Sequence, residues 1–234
     1  MRTLAALLFM TLATPALAQR APERPIVVEL FTSQGCSSCP PADTLLTELA
    51  GRPDILPLAF HVTYWNNLGW RDPFSLDEAT ARQRSYQRLL GSETIYTPQM
   101  IIEGRTDVVG SDRAGVRAAL AAARPTTAVT LDATRTAQGL QIAVGPGSGA
   151  ATVLVIGYDP SHRTAVARGE NAGRQLTESN IVRSVAPVAA WQGSALTVTT
   201  PPPAAERTAI VLQARDGRIL GATVLPKATS GVTG

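Results

Sequence analysis

The stretch from Ile26 to Pro41 has the sequence IVVELFTSQGCSSCPP, and it decides how the first half of the chain is interpreted. Its first six residues are apolar and rich in β-branched side chains, which predicts a buried strand. Two prolines follow Cys39, and proline is common in the first turn of a helix. We therefore expect Cys36 and Cys39 to lie between the end of a strand and the start of a helix.

This position favours redox chemistry for the two cysteines. The N-terminus of a helix stabilises a thiolate, which is the form of cysteine that attacks a disulfide. A disulfide between residues this close removes little entropy from the unfolded chain, so it is a poor structural staple. We predict that Cys36 is an exposed nucleophile and that Cys39 resolves the mixed disulfide. Ser37 and Ser38 are accessory candidates that could donate hydrogen bonds to a developing thiolate.

The next segments predict an α/β unit. After the first helix, which is expected to end before Gly51, the pattern predicts strands and helices in alternation. The expected elements are a strand at 55–64, a helix at 75–90, a strand at 99–103, a hairpin turn at 104–105, a strand at 106–109 and an Ala-rich helix ending near residue 123.

The composition changes after Pro125, where Gly, Thr and Val dominate and no helix is predicted. Short strands separated by turn residues are typical of a β-sandwich or small barrel. They are expected at 128–133, 140–144, 152–158, 165–168, 181–188, 195–199, 209–214 and 219–225. The predicted fold is thus an α/β domain over residues 24–125, an all-β, sandwich-like domain over 126–226 and a flexible tail over 227–234.

The N-terminus predicts export. A short positive start precedes an apolar run from Leu4 to Ala13, and Ala16-Leu17-Ala18 has the form of a signal-peptidase site. Residues 1–18 are interpreted as a signal peptide, with an uncleaved N-terminal anchor as the alternative. We expect a periplasmic or secreted protein with no stable membrane span after cleavage.

The charge of the chain argues against nucleic-acid binding. The formal net charge is +3, and the basic residues are scattered rather than grouped in a block. We therefore expect no nucleic-acid partner.

Three local features of the first half resemble the thioredoxin superfamily. They are the strand 26–31, the Cys36–Cys39 motif at a helix start, and Thr97-Pro98 before the third predicted strand. The resemblance implies a thioredoxin-like domain in which Pro98 is cis and faces the disulfide. It also implies that Thr97 offers backbone groups to an extended substrate peptide.

Two positions depart from the thioredoxin pattern. Thioredoxins carry a buried acidic residue six positions before the first cysteine, where this chain has Leu30, with Glu29 one place away. The tryptophan that usually precedes the motif is replaced by Gly35.

Longer phrases resemble a bacterial secreted family of unknown function, DUF1223. These phrases are VELFTSQGC at 28–36, FHVTYW at 60–65, and GENAG at 169–173 continuing to Asn180. The resemblance covers nearly all of the chain after the signal peptide. It implies a thioredoxin-like domain plus a β-rich domain, and it supplies no reaction.

Other residues are candidates for accessory roles. His61 could be a proton donor, a metal ligand near the cysteines, or a hydrogen-bonded histidine beneath a loop. Trp65 lies in an aromatic insertion that could line a substrate groove or form a small core of its own. The segment 169–180 could be a binding loop, or an ordered turn held by the side chains of Asn171 and Asn180.

Three functions remain open from the sequence. The first is a periplasmic thiol–disulfide oxidoreductase that acts on protein thiols or disulfides together with an unknown redox partner, with no cofactor and no metal. The second is an envelope binding protein in which the cysteine pair is a structural disulfide. The third is a copper-handling protein that uses Cys36, Cys39 and His61 as ligands.

Overall fold

The computed structural model describes residues 24–123 and 129–225, which form three helices and eleven strands. The predicted signal peptide, the predicted tail and the predicted boundary at residue 125 lie outside the described residues. The first elements are β1 (Ile26–Thr32), α1 (Pro40–Ala50), β2 (Ile55–His61), α2 (Asp77–Leu90), β3 (Gln99–Ile102), β4 (Thr106–Val109) and α3 (Arg113–Ala122). They are followed by β5 (Leu131–Thr136), β6 (Gly139–Val144), β7 (Ala151–Ala165), β8 (Gln175–Trp191), β9 (Leu196–Thr200), β10 (Arg207–Ala214) and β11 (Ile219–Val224).

Strands from both halves of the chain join in one eight-stranded sheet. Its order is β11-β10-β7-β8-β2-β1-β3-β4, and β5, β6 and β9 form a separate three-stranded sheet. The two halves meet where β2 and β8 run parallel, with Ala59 opposite Ile181. The expectation of an α/β thioredoxin-like domain followed by a separate all-β, sandwich-like domain is therefore wrong. The sequence pattern identified most of the strands, but it carried no information on which strands pair over long distances.

The alternation of side chains along the strands explains how the large sheet is covered. In β1, Val27 and Phe31 pack into one core, whereas Val28 and Leu30 pack into another on the opposite face. The second of these cores lies beneath α1 and α3. In β7, alternate residues likewise point either to the first core or to a third core shared with the three-stranded sheet.

The first core is shared between the two halves of the chain. It combines side chains of β1, β2, β3 and α2 with side chains of β7, β8, β10 and β11. Its members include Phe31, Phe60, Tyr86, Leu154, Ile156, Tyr158, Val182, Val211 and Ile219. Because neither half could bury this surface alone, the two halves depend on each other for stability.

The two ends of the large sheet also contact each other. Arg24 donates to the Glu103 carboxylate over 2.9 Å and to the carbonyl of Ile219 over 2.7 Å. Gly104 has a φ of 67°, and a Cβ placed on it would lie 1.9 Å from the carbonyl oxygen of Gly217. The β3–β4 turn therefore packs directly on the β10–β11 turn, and only glycine fits at residue 104.

The hairpin of β7 and β8 is much longer than predicted. The sequence placed a break after Tyr158 and a new strand at 165–168, but β7 continues to Ala165. The continuous strand includes Pro160, which cannot donate a backbone hydrogen bond. Pairing between β10 and β7 ends at Tyr158, so no β10 strand lies beside Pro160 and the missing donor is tolerated.

The shared core predicts a single unfolding transition. Ile156→Ala removes a fully buried side chain from β7 and should lower the free energy of unfolding by about 2–5 kcal/mol. Urea unfolding followed by circular dichroism and by tryptophan fluorescence should give coincident curves that shift together in the variant. Leu68→Ala, at an exposed position, is the control and should leave the curves unchanged. Two separate transitions, with only one shifted, would contradict the shared core.

Candidate functional site

Cys36 and Cys39 form a disulfide at the start of α1, with their Cα atoms 5.4 Å apart. Cys39 is the N-cap residue of the helix, and its carbonyl accepts from the backbone N–H of Ala42 over 2.8 Å. The predicted place of the pair, between a strand and a helix, is confirmed. Ser37 and Ser38 are exposed, and the Ser38 hydroxyl lies 3.4 Å from the Cys36 sulfur.

The exposure predicted for Cys36 is wrong, because both cysteines have no exposed surface. The loop that carries them is held by residues 166–174, which connect β7 to β8 and are called the strap below. Asn171 in the strap donates from its side-chain amide to the carbonyls of Gln34 and Cys36, each over 2.9 Å. Glu170 accepts from the backbone N–H of Ser37 over 3.0 Å.

The strap is an ordered turn. The N–H of Val166 donates to the carbonyl of Arg174 over 2.9 Å, and the N–H of Gly173 donates to the carbonyl of Val166 over 2.8 Å. An ordered turn is one of the two interpretations of this segment, but the Asn171 side chain bonds to the cysteine loop rather than to the turn itself. Asn180 has a different partner, the carbonyl of Pro57 over 2.8 Å.

The three predicted substrate-binding residues lie together beside the cysteine loop. The bond between Thr97 and Pro98 is cis, as predicted. The indole N–H of Trp65 donates to the Thr97 hydroxyl over 2.8 Å. A Cβ placed on Gly35 would lie 3.1 Å from the Trp65 Cβ, so glycine allows the tryptophan to pack against the residue before Cys36.

Beneath the cysteine loop lies a buried polar cluster that the sequence did not predict as a unit. Five elements contribute: the end of β1, the loop after it, α1, the end of β2 with its following loop, and β8. Its members, all less than a tenth exposed, are Thr32, Gln34, Asp43, His61, Asp72 and Glu178.

His61 lies between two carboxylates of this cluster. Its Nδ1 is 2.7 Å from Asp72, and its Nε2 is 3.8 Å from Glu178. Asp72 also accepts from the backbone N–H of Gln34 over 2.8 Å and of Phe74 over 2.9 Å. His61 is therefore a hydrogen-bonded histidine beneath a loop, one of the roles considered for it, and it sits within a network of titratable groups.

Gln34 connects the cluster to the cysteine loop. Its side-chain amide donates to Glu178 over 2.6 Å, and its side-chain oxygen accepts from the Trp70 indole over 3.1 Å. Its carbonyl accepts from Asn171 of the strap. Gln34, two residues before Cys36, is therefore bonded both to the cluster and to the strap.

Asp43 brings a carboxyl group beneath the disulfide. Its backbone N–H donates to the carbonyl of Cys39 over 3.1 Å, the spacing of one helical turn, so the two side chains lie on the same face of α1. The Thr32 hydroxyl donates to its carboxylate over 2.8 Å. Burial, reinforced by the nearby Glu178 carboxylate, raises the pKa of Asp43 to about 7.

The other groups of the cluster have pKa values shifted in opposite directions. Burial alone would lower the pKa of His61, but the negative charges of Asp72 and Glu178 raise it to about 9. Burial raises the pKa of Glu178. Burial would also raise that of Asp72, but the charge and hydrogen bond of His61 hold the pKa of Asp72 below its usual value. A His61–Asp72 ion pair thus coexists with the Asp43 carboxyl, which is partly protonated near neutral pH, and with Glu178, whose pKa is raised.

The comparison with known families agrees with the phrases found in the sequence. The model of a family described as "Protein of unknown function (DUF1223)" matches residues 27–213. The chain belongs to the DUF1223 family. Among curated proteins, none shows significant similarity to it.

Two solved structures are similar to this DUF1223 protein. Protein AGR_C_4864 from Agrobacterium tumefaciens, a structural genomics target, is 35% identical, with a TM-score of 0.77 over 88% of this chain and 96% of its own. HBP35 of Porphyromonas gingivalis is 12% identical, with a TM-score of 0.57 over 91% of this chain and 80% of its own. The second likeness concerns the fold alone.

Neither a metal site nor a membrane-spanning helix is found in the described part of the DUF1223 protein. Across residues 24–123 and 129–225, no group of three or more His, Cys, Asp or Glu side chains is arranged to hold a metal ion. Within the same ranges, no helix has the length and hydropathy needed to cross a bilayer.

A separate cleft of about 420 Å³ lies between α2 and strands β8 and β10. Of its two charged lining residues, Glu78 is exposed, whereas Arg82 is already paired with the buried Glu29 and donates to the Tyr86 hydroxyl over 3.0 Å and to Gln213 over 3.0 Å. The cleft contains neither cysteine.

The sequence carried weak local signals for some of the residues it missed. Asp43 follows Cys39 by four residues in a predicted helix, which places both on one face. Asn171 lies within a phrase shared with the family. Asp72 and Glu178 gave no local signal, because their roles depend on how a loop and a distant strand fold against His61.

The two histidines of the chain allow a matched test of the cluster. Because folding raises the pKa of His61 from 6.5 to about 9, its contribution to stability is complete below pH 6.5 and is lost as the pH rises to 9. The expected loss is on the order of 3 kcal/mol.

Urea unfolding at several pH values checks this expectation. The free energy of unfolding of wild type should fall between pH 6.5 and 9. The His61→Gln variant should be less stable at pH 6, and its free energy of unfolding should lack this slope with pH. His162→Gln, which changes a histidine with a 37% exposed side chain, should behave like wild type. An unchanged slope in His61→Gln would show that His61 is not charged in the folded protein.

Proposed function

We propose that this DUF1223 protein is a thiol–disulfide oxidoreductase of the periplasm or of the secreted space. It would act on protein thiols or disulfides, together with a redox partner, through Cys36 and Cys39. The observation that carries the proposal is the placement of the disulfide at the start of α1, one helical turn from the protonatable Asp43. Perturbed titratable groups beside a reactive pair are typical of functional sites.

The disulfide contributes little as a structural staple. It closes a loop between residues three apart, whereas the stabilisation from a disulfide grows with the size of the loop. The loop is fixed independently by Asn171, Asp72 and Glu170, which hold the backbone of residues 34–37. A fold that needed only a rigid loop here would not require the cysteines.

The proposed exchange conserves electrons and protons. A thiolate of the partner attacks the Cys36 sulfur, the bond to Cys39 breaks, and Cys39 leaves with the electron pair. A second thiolate of the partner then attacks its own sulfur in the mixed disulfide and releases Cys36 as a thiolate. The protein gains two electrons and two protons, the partner dithiol becomes a disulfide, and the reverse sequence oxidises the protein.

Asp43 supplies the proton that the leaving thiolate needs. A pKa near 7 keeps its carboxyl partly protonated at neutral pH, and its position on the same face as Cys39 suits a transfer to that sulfur. The charges of Glu178 and Asp72 add to the effect of burial and raise the pKa of Asp43, whereas the charge of His61 lowers it. The acid therefore comes from α1, rather than from the strand position where thioredoxins carry it.

The remaining predicted site residues have supporting roles in this proposal. Ser38 is placed to donate to a Cys36 thiolate, and the backbone N–H of Ser37 donates to Glu170 of the strap. Thr97, Pro98 and Trp65 form a wall next to Gly35 along which a substrate segment would lie. These local features resemble those of the thioredoxin superfamily. The resemblance supports disulfide exchange as the chemistry, but it is not evidence for a thioredoxin-like fold.

Trapping of mixed disulfides tests the proposal directly. Cys39→Ser should accumulate mixed disulfides with protein partners in vivo, because Cys36 can attack but nothing resolves the product. The Cys36→Ser variant should trap no mixed disulfide. The Ser37→Ala variant keeps both cysteines and serves as the control. Non-reducing gels and mass spectrometry of the Cys39→Ser adducts provide the measurement. The absence of any adduct would count decisively against the exchange reaction.

A second candidate function is suggested by the burial of both cysteines. Zero exposure favours an envelope binding protein whose disulfide is structural. Equilibration with glutathione or dithiothreitol buffers, with thiols counted by alkylation, separates the two functions. An exchange enzyme should have a reduction potential between about −270 and −120 mV. A pair that stays oxidised well below this range would support the binding protein.

The role of Asp43 predicts a specific pH profile. In wild type, the rate of disulfide reduction by dithiothreitol, corrected for the thiolate fraction, should fall as the pH rises through 7 and Asp43 loses its proton. The disulfide of the Asp43→Asn variant should be reduced about 100-fold more slowly at pH 6, and its rate should lack the step, which is the fall near pH 7. Glu29→Gln changes a buried carboxylate that pairs with Arg82 and should keep the step. A step that survives in Asp43→Asn would exclude Asp43 as the acid.

A further inference from the structure

The strap fixes the backbone on both sides of Gly35. Asn171 has no exposed surface, and both N–H groups of its amide are used, one on the carbonyl of Gln34 and one on that of Cys36. While Asn171 is in place, the loop cannot move away from the cluster beneath it. The disulfide is then inaccessible, since neither cysteine has exposed surface.

We propose that the strap is a gate and that Asn171 determines the selectivity of the disulfide. The disulfide reacts only after Asn171 leaves the cysteine loop, so the closed form discriminates against small thiols such as glutathione. Protein partners that displace the strap are favoured. The selectivity for proteins rests on the proposed oxidoreductase function, whereas the gate itself does not.

One polar group that holds the closed strap is incompletely satisfied. The side-chain oxygen of Asn171 is buried and has no hydrogen-bond partner among the described residues. A buried acceptor without a partner loses its hydration, and opening the strap restores it. The second contact, from Glu170 to Ser37, is exposed to solvent and is therefore a weak restraint. The closed form thus keeps the two hydrogen bonds donated by the Asn171 amide but leaves the oxygen of the same side chain without a partner. This combination suits a segment that opens locally.

The outer surface of the strap gives a protein partner something to bind. Arg168, Glu170 and Arg174 are all exposed on this short segment. A protein that contacts these side chains could shift the equilibrium towards the open form through its differential affinity for the two forms. A small thiol makes too few contacts to do so and has to wait for spontaneous opening.

Reduction kinetics with glutathione and with a phosphine reductant test the gate on the oxidised protein. Alkylation of the released thiols gives the rate at each concentration of reductant. Asn171→Asp keeps the size of the side chain but removes the two donated hydrogen bonds, and Asn171→Ala removes the side chain beyond Cβ. Both variants should be reduced at least about tenfold faster than wild type by either reagent. Gln87→Ala, which loses a comparable amide contact to the carbonyl of Glu93 and lies in α2 away from the cysteine loop, should react like wild type.

Wild type provides a measurement that does not depend on the variants. Its folded form should be reduced at least about tenfold more slowly than the urea-unfolded form by the same reagent. Equal rates for folded and unfolded protein, or equal rates for wild type and both Asn171 variants, would overturn the gate. If the gate holds but Cys39→Ser traps no partner, the proposed oxidoreductase function fails and the gate stands.

Discussion

The rest of the structure depends on a short seam where β8 joins β2. Ala59 and Ile181 are the paired residues of this parallel contact. The three residues before Ile181 each reach across it: Asn180 to the carbonyl of Pro57, Ser179 to Thr47 and Glu178 to Gln34. This seam merges two groups of strands into one sheet and brings a carboxylate of β8 next to His61.

The seam also explains why the candidate site is built from distant parts of the chain. The long hairpin of β7 and β8 is anchored at the seam, and its tip is the strap. One hairpin therefore contributes Glu178 to the cluster beneath the disulfide and Asn171 to the contact that closes it. The proposed chemistry and the proposed gate therefore depend on the same hairpin, with Gln34 bonded to both residues.

Charge within the cluster is arranged so that protons are retained near neutral pH. One buried histidine is surrounded by three carboxyl groups, and it forms a strong pair with only one of them, Asp72. Burial raises the pKa values of the other two, Asp43 and Glu178, and a neighbouring carboxylate adds to each rise: Glu178 for Asp43, and Asp72 for Glu178. This arrangement is the basis for the role proposed for Asp43 as a proton donor.

The sequence by itself determined the local features: β1, the start of α1 at Cys39, the cis bond before Pro98 and the membership in DUF1223. The strand and the helix start depend on neighbouring residues, because β-branched runs and proline positions act over a few residues, whereas the cis bond and the family follow from the resemblance of longer phrases. Only the tertiary structure decided that strands of both halves share one eight-stranded sheet, that Cys36 is buried, and that Glu178 and Asn171 complete the candidate site. Those residues lie more than 130 positions from the cysteine loop in the chain. Contacts of that range follow from strand pairing and shared burial, which no local pattern encodes.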